Sequence, residues 1–402
     1  MSSIVLYLHV HQPHRVKNYS VFETAHNHDY FRTEHWDDRW NNERIFRKVA
    51  DKSYRPMNRL LKELLDTHPG FKVSLSITGT FLEQCEMWDP QLLRSFQELV
   101  ATGRVEIVGE TYQHSLAFFY SRFEFEKQVI MHREKVRQLF GVTPTAFRNT
   151  ELAYNNDLGD WAESAGYRVV LTEGWDPVLG WRSPNYVYRP PYAKRTRILA
   201  KNYRLSDDIA FRFSNKAWPE HPLTADKYLS WLEAASDEPV RNLFMDYETF
   251  GEHQWEDTGI FEFMKETTRR WLDSGHDFKT VTEAAVSNDV SDTLDMPYTV
   301  TWADTERDMT AWTGNRMQQE ALRMIYELED AVLKTSDEQL IDDWRALQTS
   351  DHFYYMCTKW FSDGDVHAYF SPYESPYDAF LFFMNSLRDI RWRISEHNRG
   401  VL

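Results

Sequence analysis

Short runs of apolar and β-branched residues alternate with stretches of helical spacing through roughly the first 285 residues. Residues 4–10, 71–77, 105–108, 146–150, 168–171, 242–245 and 278–281 read as strands. Residues 54–65, 90–101, 123–139, 158–165, 225–235 and 261–273 carry helical spacing. The stretch 173–216, rich in Pro, Trp, Tyr and Arg, follows neither period and is expected to be a long loop holding one strand near 198–200. Strand–helix alternation of this kind implies a parallel sheet, open or closed into a barrel. The pattern changes after Val286. Residues 315–335, 338–347 and 376–395 are helical, with no β-branched run between them. The expected organisation is therefore a strand–helix domain over 1–286 and a helical domain over 287–402, packed against the first and contributing to its substrate cleft.

Composition narrows the partners. The chain of 402 residues carries a formal charge of −16, which argues against nucleic acid or an anionic membrane, because both are bound through clustered Lys and Arg. A neutral substrate meets no such penalty. Aromatic residues make up 15% of the chain, and many sit in polar or Pro-rich stretches such as 175–181 and 360–377. Exposed rings among carboxylates suit a sugar, whose C–H faces stack on them. Two cysteines, Cys85 and Cys357, provide no disulfide framework. Residues 1–11 have no basic segment and too short an apolar run for a secretory leader, and no run of about 20 apolar residues spans a membrane. The expectation is a cytoplasmic protein.

In parallel barrels reactive side chains project from the C-terminal ends of strands. Reading those ends here yields His9 and His11-Gln12-Pro13; Glu110 running on to His114; Arg148-Asn149-Thr150-Glu151; and Asp246-Tyr247-Glu248, with His253 beyond. A single carboxylate after a strand is usually a cap or loop anchor. Several on one rim suit glycoside hydrolysis, in which one carboxylate attacks the anomeric carbon and a second protonates the leaving oxygen, about 5 Å apart when configuration is retained. Arg148 is expected to keep Glu151 ionised, and the approach of Glu151 to raise the pKa of Asp246. Glu248, two residues after Asp246, would point the same way along an extended strand end.

Five stretches carry a resemblance to glycoside hydrolase family 57, in its α-amylase-like branch. They are His11-Gln12-Pro13; 105–112 with His114; Phe147-Arg148-Asn149-Thr150-Glu151-Leu152; Phe244-Met245-Asp246-Tyr247-Glu248-Thr249-Phe250-Gly251; and Thr280-Val281-Thr282-Glu283-Ala284. The segment 304–317, with Trp312, is similar to the same branch. The resemblance implies an α/β fold, an incomplete (β/α)7 TIM-like barrel followed by a helical C-terminal domain. It further implies retaining hydrolysis of α-1,4-glucans such as glycogen, starch fragments or maltodextrins, without cofactor or metal. Glu151 matches the nucleophile and Asp246 the acid/base. His11 and Glu248 match positions that line the sugar site, and the strand-end reading adds His9, Gln12, Glu110, His114, Arg148 and His253, with Trp312 from the helical part, as candidates for binding the sugar. Two departures separate this chain from the glucanotransferase branch. Arg148 stands where that branch has a Trp three residues before the nucleophile, and His253 where it has a Trp seven after the acid/base.

Competing readings are a 4-α-glucanotransferase on the same site, a non-catalytic glucan-binding protein, and a metal-dependent enzyme akin to the polysaccharide deacetylases. His9, His11 and His14 invite the last, since imidazole is a common zinc ligand, but no Asp is paired with them in the sequence and no HExxH spacing occurs. Asp363-Gly364-Asp365 reads as a turn rather than a calcium loop. A chelator is therefore expected to leave glucan-cleaving activity unchanged; loss of activity that Zn²⁺ restores would reverse this reading.

Overall fold

The computed structural model describes residues 2–31, 41–235, 237–359 and 371–400; residues 360–370, and with them Asp363-Gly364-Asp365 and most of the aromatic stretch 360–377, lie outside the described residues. The chain forms two compact units, each assembled from three segments.

The first unit comprises Met1–His11, Arg47–Glu110 and His132–Trp302. It holds β1 (Ser3–Val10), β2 (Val73–Ile77), β3 (Val105–Ile107), β4 (Ala146–Phe147), β5 (Val169–Glu173), β6 (Val187–Arg189), β7 (Arg197–Lys201), β8 (Val240–Asp246), β9 (Asp277–Phe278) and β10 (Val290–Thr293). One sheet runs β3-β2-β1-β8, with β9 also on β1, and the other β10-β6-β7-β5-β4. Every pairing is parallel except β6 with β7. All eight residues of β1 are buried, as expected for a parallel strand covered on both faces.

Two narrow seams join the sheets. Gly109 N donates to Ala146 O at 2.9 Å and Arg148 N to Gly109 O at 2.8 Å, which sets β4 beside the extension of β3. On the other side Asn202 N donates to Asn242 O at 2.9 Å, and the Asn242 side-chain amide donates to Ala200 O at 2.9 Å. The order β1-β2-β3-β4-β5-β7-β8 thus follows an incomplete, seven-stranded barrel, with one isolated bridge at the first seam and individual hydrogen bonds at the second. Fold class and incomplete barrel agree with the sequence reading. Val5, Tyr7, Val108, Leu171, Leu199 and Phe244 fill its interior.

The stretch 173–216 departs from the expected loop. It contains a helix at Asp176–Leu179, β6, β7 and a helix at Tyr203–Ala210 capped by the Asn202 side chain. These elements are short, and β6 lies antiparallel at its partner's edge, so neither period had room to register. The strand expected at 278–281 stops at Phe278, because Thr280 and Glu283 form a capping box that opens a helix at Val281–Ser287. It is also not the last strand, since β10 follows.

The second unit comprises Gln12–Phe46, Thr111–Met131 and Ala303–Leu402. Its helices include Arg316–Glu327, Glu329–Thr335, Glu338–Ala346 and Pro376–Gly400. Buried polar pairs tie the two earlier segments to them. Glu124 meets Arg345 at 2.9 Å, Gln128 donates to Gln348 at 2.9 Å, and the buried Asp389 accepts from Ala25 N and lies against His28 Nδ1, both at 2.7 Å. Among the described residues, no helix is long and apolar enough to cross a membrane.

One glycine sets the loop after β8. Pro56 has no N–H to give to the Lys52 carbonyl four residues earlier, and the chain makes a π-helical turn at Ala50–Tyr54 before helix Arg55–Thr67. Gly251 packs on that carbonyl. It has φ +108°, and a Cβ there would lie 1.9 Å from Lys52 O. Gly251→Ala is expected to destabilise the protein by about 2–4 kcal/mol, through clash and an unfavourable φ together; thermal denaturation of the variant measures it.

Candidate active site

The C-terminal ends of the strands hold most of the charged side chains singled out in the sequence. His9, on β1, lies opposite Asp246, the last residue of β8, in the strand register. His9 Nδ1 is 3.5 Å from Asp246 Oδ1, and Nε2 is 3.3 Å from Glu110 Oε2. With a carboxylate at each nitrogen, the ring donates to both only as imidazolium. Glu110 follows β3 and is fully buried. Arg148, also fully buried, follows β4 and brings its guanidinium to 3.9 Å from Glu110 Oε2. Glu173 ends β5 and Lys201 ends β7; they meet at 3.6 Å, and Lys201 also binds Asp207 at 2.9 Å. Buried charges persist only when matched in this way.

Glu151 sits in a tight turn just beyond β4. Leu152 N donates to Asn149 O, Ala153 N to Thr150 O, and the Asn149 side-chain amide to Ala153 O, at 3.0–3.1 Å. Glu151 and Leu152 both take left-handed conformations, with φ +60° and +52°. Each such non-glycine residue costs on the order of 1–2 kcal/mol, so neighbouring contacts must hold the turn. Tyr154 and Val300 exchange two main-chain hydrogen bonds of 2.9 Å, and Trp302 N donates to Glu151 O at 3.2 Å. Trp302 Nε1 donates to Glu151 Oε2 at 2.9 Å. The Trp302 ring contacts three further members of the site: Arg148 lies 4.9 Å and Lys201 5.6 Å from it, and His9 meets it edge-on at 6.3 Å. Glu151 and Asp246 are thus linked through Trp302 and His9.

Beyond Asp246 the strand does not continue. Tyr247–Thr249 forms a 3-10 turn, so the same-way alternation expected for Asp246 and Glu248 is lost. Asp246 keeps 40% of its side chain exposed, whereas Glu248 is buried. Glu248 Oε1 accepts from the Tyr54 hydroxyl and from His11 N, the latter at 3.3 Å. Tyr54 belongs to the π-helical turn held against Gly251. His11 Nδ1 is 2.9 Å from the Thr78 hydroxyl.

Asp246, which ends β8, and Glu248, just beyond it, are shifted in opposite directions. Burial, and then the Asp246 charge, push the Glu248 carboxyl up to about 8 against the pull of its hydrogen bonds from Tyr54 and His11. Burial also pushes Asp246 up, but the hydrogen bond and charge of His9, with smaller pulls from His253 and Arg148, leave it below the usual aspartate value. The sequence led to the opposite expectation for Asp246, because it did not reveal that β1 sets His9 directly beside it. Burial holds His253 below the ordinary imidazole value.

Of the residues singled out in the sequence, His9, His11, Glu110, Arg148, Glu151, Asp246, Glu248 and His253 belong to the first unit, and Gln12, His114 and Trp312 to the second. Gln12 accepts from Arg15, and His114 is buried with φ +52°. Trp312 is 1% exposed, and its ring packs on Tyr354 at 6.0 Å. As placed, it offers little face to a sugar. Sequence reasoning passed over Trp302, Tyr54, Glu173 and Lys201. Strand-end position marks Glu173 and Lys201, but both fell in the stretch read as loop. Nothing local marks Trp302 or Tyr54.

A model of Glycosyl hydrolase family 57 matches residues 5–297. A Methanocaldococcus jannaschii protein called "Putative alpha-amylase" is 41% identical over 96% of this chain and 84% of its own length. Among solved structures, a branching enzyme from Thermococcus kodakaraensis superposes with TM-score 0.69 at 14% identity, over 92% of this chain and 87% of that one. The 4-alpha-glucanotransferase of Thermococcus litoralis gives TM-score 0.62 at 16% identity over 88% of this chain, which spans only 56% of that structure. At such identities the structures show a shared fold alone.

Because a hydrogen bond to the ionised form lowers a carboxyl pKa, Tyr54→Phe is expected to raise that of Glu248 further above about 8. The carboxylic C=O stretch of Glu248, assigned by its absence in Glu248→Gln, should persist at neutral pH and disappear at higher pH in the Phe variant than in the parent.

Proposed function

The chain belongs to glycosyl hydrolase family 57, and on that premise we propose that it cleaves α-1,4-glucosidic bonds of glycogen, starch fragments or maltodextrins by double displacement. The observation that carries the proposal is the linkage of two carboxylates, Glu151 and Asp246, through Trp302 and His9 at one end of an incomplete parallel barrel. Glu151 attacks the anomeric carbon as the bond to the leaving sugar breaks, and Asp246 gives its proton to the departing oxygen. Asp246, now ionised, takes a proton from water. That water attacks the same carbon, the ester to Glu151 breaks, and two inversions leave the configuration retained. A neutral glucan is compatible with the acidic chain, and a cytoplasmic location belongs to the same proposal.

In the unliganded site His9 favours ionised Asp246. A glucan lying over Asp246 displaces water from the 40% of its side chain that is exposed, and desolvation raises a carboxyl pKa. Substrate binding itself then moves Asp246 toward the protonated form the first step requires. Arg148 and His253, in place of two tryptophans of the glucanotransferase branch, favour water over a sugar hydroxyl as the second nucleophile.

A second reading draws on Glu248, which burial keeps protonated at neutral pH: it, rather than Asp246, would donate the proton. The two readings separate on substrates. Glu151→Gln and Asp246→Asn are each expected to lose at least about 99% of turnover on maltoheptaose, with only shorter products from the parent enzyme and retained anomers by NMR. Asp246→Asn should recover the first step on an aryl glycoside whose leaving group needs no protonation, seen as a burst of released phenol, and recover turnover when azide, which needs no base, replaces water. Recovery in Glu248→Gln instead would transfer the acid role to Glu248. Near-parental turnover of Glu151→Gln would remove the nucleophile, and longer products would make the enzyme a transferase.

A further inference from the structure

Glu151 is held at both ends by one residue. Trp302 N donates to its main-chain oxygen at 3.2 Å and Trp302 Nε1 to its carboxylate at 2.9 Å. We infer that Trp302 is the positioning residue of the nucleophile: its N–H fixes the Glu151 carboxylate through Oε2. The inference rests on Glu151 being the nucleophile and adds what aims it.

Three observations support the role over simple packing. The turn that presents Glu151 has two successive left-handed residues, a conformation that persists only where surrounding contacts overdetermine it. Trp302 supplies one such contact, and Val300, two residues earlier, pairs with Tyr154 just beyond the turn. The indole is also bracketed by cations, with Arg148 at 4.9 Å and Lys201 at 5.6 Å from its ring. Positive charge near the ring withdraws electron density from the N–H and makes it a stronger donor to an anion. Lys201 is fixed in turn by Glu173 and Asp207, both buried. Finally, the ring is half-buried against the barrel core, so its N–H cannot swing away from the carboxylate without leaving that packing. The chemistry follows directly. A hydrogen bond from the indole to the carboxylate restricts its rotation, so near-attack geometry is set before substrate arrives.

Trp302→Phe keeps a ring and removes the N–H. It is expected to lower kcat about ten- to a hundredfold, the effect of one hydrogen bond to a charged group, with KM within about twofold. The loss of a donor to the ionised form raises the pKa of Glu151, so the acidic limb of the kcat/KM profile should move to higher pH by about one unit. A limb that stays in place overturns the inference, whether activity is retained or is lost together with thermal stability, because a merely structural role would not move it. If the Phe variant does not fold, benzothienyl-alanine introduced at 302 by codon suppression keeps the shape of the indole without its N–H and is read in the same way. Glu151→Gln, assayed in parallel, separates the two claims. Near-parental turnover there defeats the nucleophile assignment itself, whereas an inactive Gln variant beside an unshifted profile at 302 defeats only the positioning role.

Discussion

Five carboxylates, Glu110, Glu151, Glu173, Asp246 and Glu248, end up at the strand ends of one incomplete parallel barrel, and all five are half-buried or fully buried. Like charges repel several-fold more strongly there than in water, so this burial is the constraint that the rest of the site answers. Each acid is answered differently. Glu110 faces His9 and Arg148, Asp246 faces His9, and Glu173 faces Lys201. Glu151 takes the neutral N–H of Trp302. Glu248 has the Tyr54 hydroxyl and the His11 amide, and burial leaves it holding its proton.

Those different answers divide the labour. A carboxylate paired with a buried cation is a structural charge, able to bind a hydroxyl but poorly suited to attack. In the proposed mechanism the carboxylate that accepts the indole N–H is the nucleophile. One that is partly exposed beside an imidazole can change protonation as substrate covers it. The division comes from the neighbours that the fold supplies, since the five side chains differ by at most one methylene.

The elements that supply those neighbours are small and irregular. The π-helical turn at Ala50–Tyr54 brings Tyr54 to Glu248, and Gly251 seats the loop after β8 on the Lys52 carbonyl. The pairing of Val300 with Tyr154 carries Trp302 to Glu151. Similar economy governs the second unit, where Glu124–Arg345 and Asp389–His28 decide that segments 12–46 and 111–131 associate with the C-terminal helices.

Strand–helix alternation was legible along the chain because apolar periodicity is a local property, and β1, β2, β3, β5 and β8 lie within a few residues of where that period puts them. Acids and histidines after strands were legible for the same reason, and His9, Glu110, Glu151, Asp246 and Glu248 do meet in the first unit. What the periodicity could not resolve was the stretch 173–216, whose strands are too short to show a period, or the helix at Val281–Ser287, which starts from a two-residue cap. Nor could it reveal the direction of the Asp246 shift or the part of Trp302. Those depend on which residue lies across the barrel, and such contacts join positions up to 237 residues apart. Sequence determines which groups stand at the strand ends, because local pattern sets where strands stop. Only tertiary structure decides their charge states and aim, because both arise from through-space fields and hydrogen bonds between segments distant in the chain.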